Sequence, residues 1–129
     1  RKMVYTNAGH HYPYQLESTI GRLTSLQPSA YPLGVRQNTK FPVRTASIAE
    51  GDMLVFYSDG IIEARNPEGE EFGFERFEQA IWLNQSKSAD AIKQAILREL
   101  QDFQQGLRQD DDITLVVVQF NPVLQPVTA

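Results

Sequence analysis

Cysteine is absent from this 129-residue chain. That removes disulfides, thiolate metal sites and a cysteine nucleophile, and it fits a reducing, cytoplasmic setting. No run approaches the roughly 18 apolar residues of a membrane-crossing helix. The first residues also lack the basic, apolar and small-residue order of a secretion signal, so no membrane contact is expected from this segment. Positive charge is scarce as well. Twelve Lys+Arg face sixteen Asp+Glu, a net charge of −4, which is the wrong sign for a general nucleic-acid binder. Internal repeats, low-complexity stretches and linker-like composition breaks are missing too. What is present suffices for a core: 41% of the residues are hydrophobic and 10% of all residues are aromatic, in a chain whose length allows one domain or part of one.

The first half reads as strands. Lys2 to Thr6 alternates polar and apolar, and Tyr12 to Leu16 resumes after Ala8-Gly9-His10-His11, which predicts a hairpin. Turns are marked by Ile20-Gly21 and by Pro32-Leu33-Gly34. Phe41 to Ile48 reads as a strand with Phe41, Val43, Thr45 and Ser47 on one face. Met53-Leu54-Val55-Phe56-Tyr57 is unbroken and apolar, bounded by Glu50-Gly51-Asp52 and Ser58-Asp59-Gly60, as in a strand buried on both faces. Ile113 to Phe120 is built the same way.

Between those two strands the period changes. Phe74, Phe77 and Ile81 fall on one helical face, and Ile92, Ile96, Leu100 and Phe103 on that of a second helix. Ser88 suits the N-cap of the second helix and Gly106 its end; the two-proline tail from Asn121 is expected to fray. Segregated strands and helices predict an α+β domain, with a two-helix insertion before the last strand covering one face of a mainly antiparallel sheet.

Two acidic positions could carry chemistry. Asp59-Gly60 ends the buried strand. It reads either as an ordinary Asp-Gly turn or as a carboxylate held rigidly enough to ligate a hard cation. Asp110-Asp111-Asp112 abuts the closing strand. It reads either as a solvated acidic loop or as mutually repelling carboxylates relieved by a cation. The only histidines, His10 and His11, point to opposite faces if they lie in a strand; a structural or solvent role is the simpler reading. No P-loop, dinucleotide fingerprint, zinc-protease helix, nucleophile elbow or EF-hand loop is present.

Five motifs nevertheless occur in order. They are Asn7-Ala8-Gly9-His10-His11, Tyr31-Pro32-Leu33-Gly34-Val35, Gly51 to Ala64 with its central Ser58-Asp59-Gly60, Glu71-Phe72-Gly73, and Asp111-Asp112-Ile113-Thr114. The series resembles the SpoIIE-like serine phosphatases, the bacterial branch of the metal-dependent, protein phosphatase 2C-like superfamily. That resemblance implies a sandwich of two antiparallel sheets flanked by helices. It also implies hydrolysis of phosphoserine or phosphothreonine by a water held between two Mn²⁺ or Mg²⁺ ions, with Asp59 and Asp111 as metal ligands. Asp112 is then a neighbour, and Asp110 lies outside the matched motif.

The sequence departs from the family pattern twice. His10 stands where eukaryotic relatives often carry an Asp that helps to bind an additional ion. The upstream Asp-x-x-Gly-His-Gly motif, whose Asp bridges the two metals, has no counterpart. The chain is therefore expected to be the carboxy-terminal part of a phosphatase domain, inactive or nearly so by itself and prone to self-association through uncovered strands. The implied partners are a phosphoprotein substrate such as an anti-sigma factor antagonist, and an upstream sensor or receiver domain. A non-catalytic, phosphatase-like binding module is the alternative.

Overall fold

The computed structural model describes residues 1–27, 30–109 and 111–121. The element order is β1 (Lys2–Tyr5), β2 (Tyr14–Glu17), β3 (Arg22–Ser25), β4 (Arg44–Ser47), β5 (Met53–Tyr57), α1 (Asp59–Ile62), α2 (Gly73–Leu83), α3 (Ala89–Gln104) and β6 (Leu115–Gln119). All pairing is antiparallel: β1 with β4 in a two-stranded sheet, and β3-β2-β5-β6 in a four-stranded one. Strands followed by helices thus give the expected α+β fold with two antiparallel sheets.

The anticipated hairpin of the first two strands does not form. β1 pairs with β4, Met3 opposite Ala46, whereas β2 lies between β3 and β5 in the other sheet. The burial patterns explain why. Tyr14, Gln15 and Leu16 are all buried and need neighbours on both edges, while β1 alternates as a strand with one wet face does. β4 is also shorter than expected, and its inward residue is Ala46; Val43, Thr45 and Ser47 are exposed.

β5 is the central strand that its composition predicted. One face carries Met53, Val55 and Tyr57 against Tyr14 and Leu16 of β2, and the helices lay Phe77, Ile81, Ile92, Ile96 and Leu100 over it. The opposite face carries Leu54 and Phe56 toward a smaller cluster with Leu26, Ile48, Met3 and Tyr5. The closing strand departs from its expectation. β6 is an edge strand and alternates, with Val116 and Val118 left 46% and 39% exposed.

Both long helices form. Ser88 Oγ accepts the Ala91 N–H, and Gln105 in the left-handed region followed by Gly106 ends α3. Phe74 is an exception to its predicted face: in the first turn of α2 it is 47% exposed, with its ring edge-on to His11. The tail from Pro122 lies outside the described residues, and so does Asp110.

One buried carboxylate ties the two sheets together. Asp52 accepts the N–H groups of Ser18 and Ala49 and the Gln15 side-chain amide at 2.9–3.1 Å. Gln15 also donates to the Ser47 carbonyl at 2.8 Å. A buried charge is tolerated because each oxygen is hydrogen-bonded.

Candidate functional site

β5 and β6 pair as far as Tyr57 opposite Leu115, so the residues just past β5 and just before β6 leave the sheet side by side. Asp59 and Asp111 occupy these adjoining ends, as their positions beside apolar strands imply. Ser58 fastens the two together. Its N–H donates to the Thr114 carbonyl at 3.0 Å, and its hydroxyl donates to the Asp112 carbonyl at 3.1 Å while accepting the Thr114 N–H at 2.9 Å. Although Ser58 occupies the N-cap position of α1, its side chain makes no cap bond there, because the hydroxyl is already committed across the gap.

Gly60 has an equally specific role. Of the two readings of Asp-Gly, a hairpin turn is not what forms: Asp59 opens the one-turn helix α1. A Cβ on Gly60 would sit 2.5 Å from the Asp112 carbonyl oxygen and 3.4 Å from that of Asp111. Glycine is required by this approach of backbone to backbone.

Asp59, Asp111 and Asp112 are all exposed. Local bonds orient the first two: Asp59 Oδ1 accepts the Gly60 N–H at 3.1 Å, and Asp111 Oδ1 accepts the Asp112 N–H at 2.7 Å. The Gln109 side chain donates to the Asp111 carbonyl. A small cleft beside them is lined by Gly60, Glu63, Ala64, Arg65, Gln109 and Asp111. Among the described residues neither Asp59 nor Asp111 has a cationic partner within ion-pair distance. This all-oxygen donor set suits a hard divalent cation in kind. It is short in number, since no group of three or more His, Asp or Glu among the described residues could hold an ion.

The histidines lie beside this corner rather than in it. Asn7 brackets its turn by accepting the His10 N–H and donating to the His10 carbonyl, both at 2.8 Å. His11 stacks on Tyr57, with ring centroids 5.6 Å apart. Below it, the Tyr14 hydroxyl donates to Glu78 at 2.5 Å. Burial, reinforced by the Glu78 carboxylate, drives the Tyr14 phenol far above its ordinary pKa, and burial also raises that of Tyr57. These rings form the floor under the end of β5.

Sequence reasoning missed the part played by Ser58 and the reason for Gly60. A cap-type residue with no capping work, directly before Asp-Gly at the end of a buried strand, is the available signal for the first.

Comparison with known proteins identifies the family and the fold. Residues 1–121 match the family of Stage II sporulation protein E (SpoIIE). The chain belongs to that family, and its fold is that of a protein phosphatase 2C-like domain. Among individual relatives, Protein IcfG of Synechocystis is 34% identical over 122 residues, which is 91% of this chain and 18% of that protein. Phosphoserine phosphatase RsbU of Bacillus subtilis is 29% identical over the same length, 91% of this chain and 34% of RsbU. The SiaA-PP2C domain of Pseudomonas aeruginosa superposes with a TM-score of 0.79 at 19% identity, covering 94% of this chain and 47% of that one. The chain thus spans about a fifth to a third of the curated relatives, and about half of the solved domain. Among the described residues no helix is long and apolar enough to cross a membrane.

Proposed function

We propose that these residues form part of the catalytic domain of a metal-dependent serine/threonine protein phosphatase. The observation that carries the reading is the clamp by which Ser58 and Gly60 hold the Asp59 turn against the Asp111–Asp112 backbone. Two carboxylates on adjoining loops, neither paired with a cationic side chain among the described residues, offer the oxygen ligands that a hard divalent cation takes.

Asp59 and Asp111 would hold Mn²⁺ or Mg²⁺, with the remaining ligands supplied from outside this stretch. Such ions, when bound, lower the pKa of a coordinated water and offset charge on phosphoryl oxygens. The chain's own residues prepare the site. The Gly60 and Asp112 N–H groups fix the direction of the two carboxylates, and Ser58 fixes the spacing of their loops. In this reading water is the nucleophile, so no side-chain nucleophile is needed.

The substrate class is a phosphoserine or phosphothreonine protein, a reading supported by likeness to a phosphoserine phosphatase. An anti-sigma factor antagonist as substrate, an upstream sensor or receiver domain and a cytoplasmic location belong to the same reading. Taken alone, the 129 residues are expected to show little activity, and their exposed β6 strip favours self-association. The shortage of a third acidic ligand among the described residues favours the second reading, a binding module without catalysis.

The test is Mn²⁺-dependent hydrolysis of a phosphoserine peptide by the full-length protein. Asp59→Asn and Asp111→Asn are each expected to lower turnover at least about a hundredfold, the scale for disturbing a metal site, without lowering thermal stability. Full activity in both variants would exclude the phosphatase site placed here. No activity in the unaltered protein would favour the binding module.

A further inference from the structure

The chain's charge is unevenly distributed. Residues 18–49 contain no Asp or Glu yet hold four cations, Arg22, Arg36, Lys40 and Arg44, in a chain of net charge −4. Two of these, Arg36 and Lys40, stand in the long connection between β3 and β4 and line an open hollow of about 1230 Å³ with Tyr31, Pro32, Phe41 and Gly9. Both are exposed, and among the described residues neither meets a carboxylate. The Arg36 guanidinium lies 5.7 Å from the centre of the Tyr31 ring, a contact that holds it in place without neutralising it.

A chain of neighbouring residues leads from the hollow toward the end of β5. Pro32 rests on Gly9, where a Cβ would come within 2.5 Å of its ring. Gly9 also borders a second cleft, shared with His11 and Tyr57. Tyr57 immediately precedes Ser58 and Asp59 at the end of β5.

We propose that this hollow docks acidic side chains flanking the phosphoserine of the substrate, with Arg36 and Lys40 as the residues that select them. The proposal rests on the phosphatase reading for the identity of its occupant. Its physical basis is electrostatic complementarity. Uncompensated cations beside an apolar floor of Tyr31, Pro32 and Phe41 attract an acidic peptide, speed its encounter and reject a basic one.

The experiment uses the full-length protein and two phosphoserine peptides of equal length, one flanked by Glu and one by Lys. At low salt kcat/KM is expected to favour the Glu peptide about five- to tenfold, what two exposed ion pairs supply, and the preference should shrink as salt rises. Arg36→Glu combined with Lys40→Glu should abolish the preference and leave hydrolysis of p-nitrophenyl phosphate unchanged. A preference that survives the double variant, or an equal loss on both substrates, would overturn the proposal. Fluorescence anisotropy with a labelled, unphosphorylated Glu-rich peptide reads docking without catalysis. Binding that the double variant removes supports the surface even if no substrate is turned over, the result that would sink the phosphatase reading instead. No binding of this peptide, or tighter binding of a single-stranded oligonucleotide, would refute an acidic-peptide surface.

Discussion

The two faces of the β5–β6 pair are made of nearly the same residue types and have different fates. Met53, Val55, Tyr57, Leu115 and Val117 lie under α2 and α3 in one continuous core. Leu54 and Phe56 face the two-stranded β1–β4 sheet, while Val116 and Val118 on the same side remain 46% and 39% exposed. The apolar side chain is common to both faces; only the covering layer differs. Hydrophobicity therefore marks a residue as able to be buried, and the packing of distant elements decides whether it is.

The largest expected effect lies on the helical side. Phe77→Ala removes a fully buried ring that touches Tyr14 and Tyr57 and should cost about 3–5 kcal/mol in denaturant titration. A cost near zero would mean that this core is not the one that holds the chain together. Gly60→Ala comes next. Its methyl group meets the Asp112 carbonyl, so about 1–3 kcal/mol of destabilisation is expected, together with weaker Mn²⁺ binding in calorimetry. Unchanged stability and unchanged metal affinity would show that the two loops need not touch.

Stability should also fall in alkali, and the sign follows from the buried phenols. Tyr14 and Tyr57 have raised folded-state pKa values. Their stabilisation is complete below the unfolded value of 10.0 and is lost as pH climbs from there toward the folded value. Denaturant midpoints measured at about pH 8 and about pH 11 should therefore diverge, and Tyr14→Phe should narrow the gap. An equal gap in the variant would show that other groups govern the alkaline limb.

The smallest effect belongs to the open face. Val118→Ala should cost under about 1 kcal/mol in this chain, given its exposure. The same substitution costing several times more in the full-length protein would show that another segment covers the strip there, and would erase the contrast between the two faces.

Much of the architecture was legible because it is local. The 3.6-residue spacing of Ile92, Ile96 and Leu100, the Ser88 cap and the unbroken β5 run are each imposed by backbone geometry within a few residues. The acidic pair was legible in a weaker sense, as charge placed against apolar strand ends. What could not be read was partnership. β1 took β4 in place of β2, β6 became an edge, and Phe74 stayed at the surface beside His11, because strand pairing is chosen among elements far apart in the chain.

By itself, then, the sequence determined the α+β class, the central strand, the two amphipathic helices and the family to which the chain belongs. Tertiary structure alone decided that Ser58 would bond across to Asp112 and Thr114 instead of capping its own helix, and that Gly60 would be needed for clearance rather than for a turn. It also decided that Asp52 and Gln15 would join the two sheets. In each case the partner lies more than thirty residues away, at a distance that only the folded chain closes, and local propensity carries no information about it.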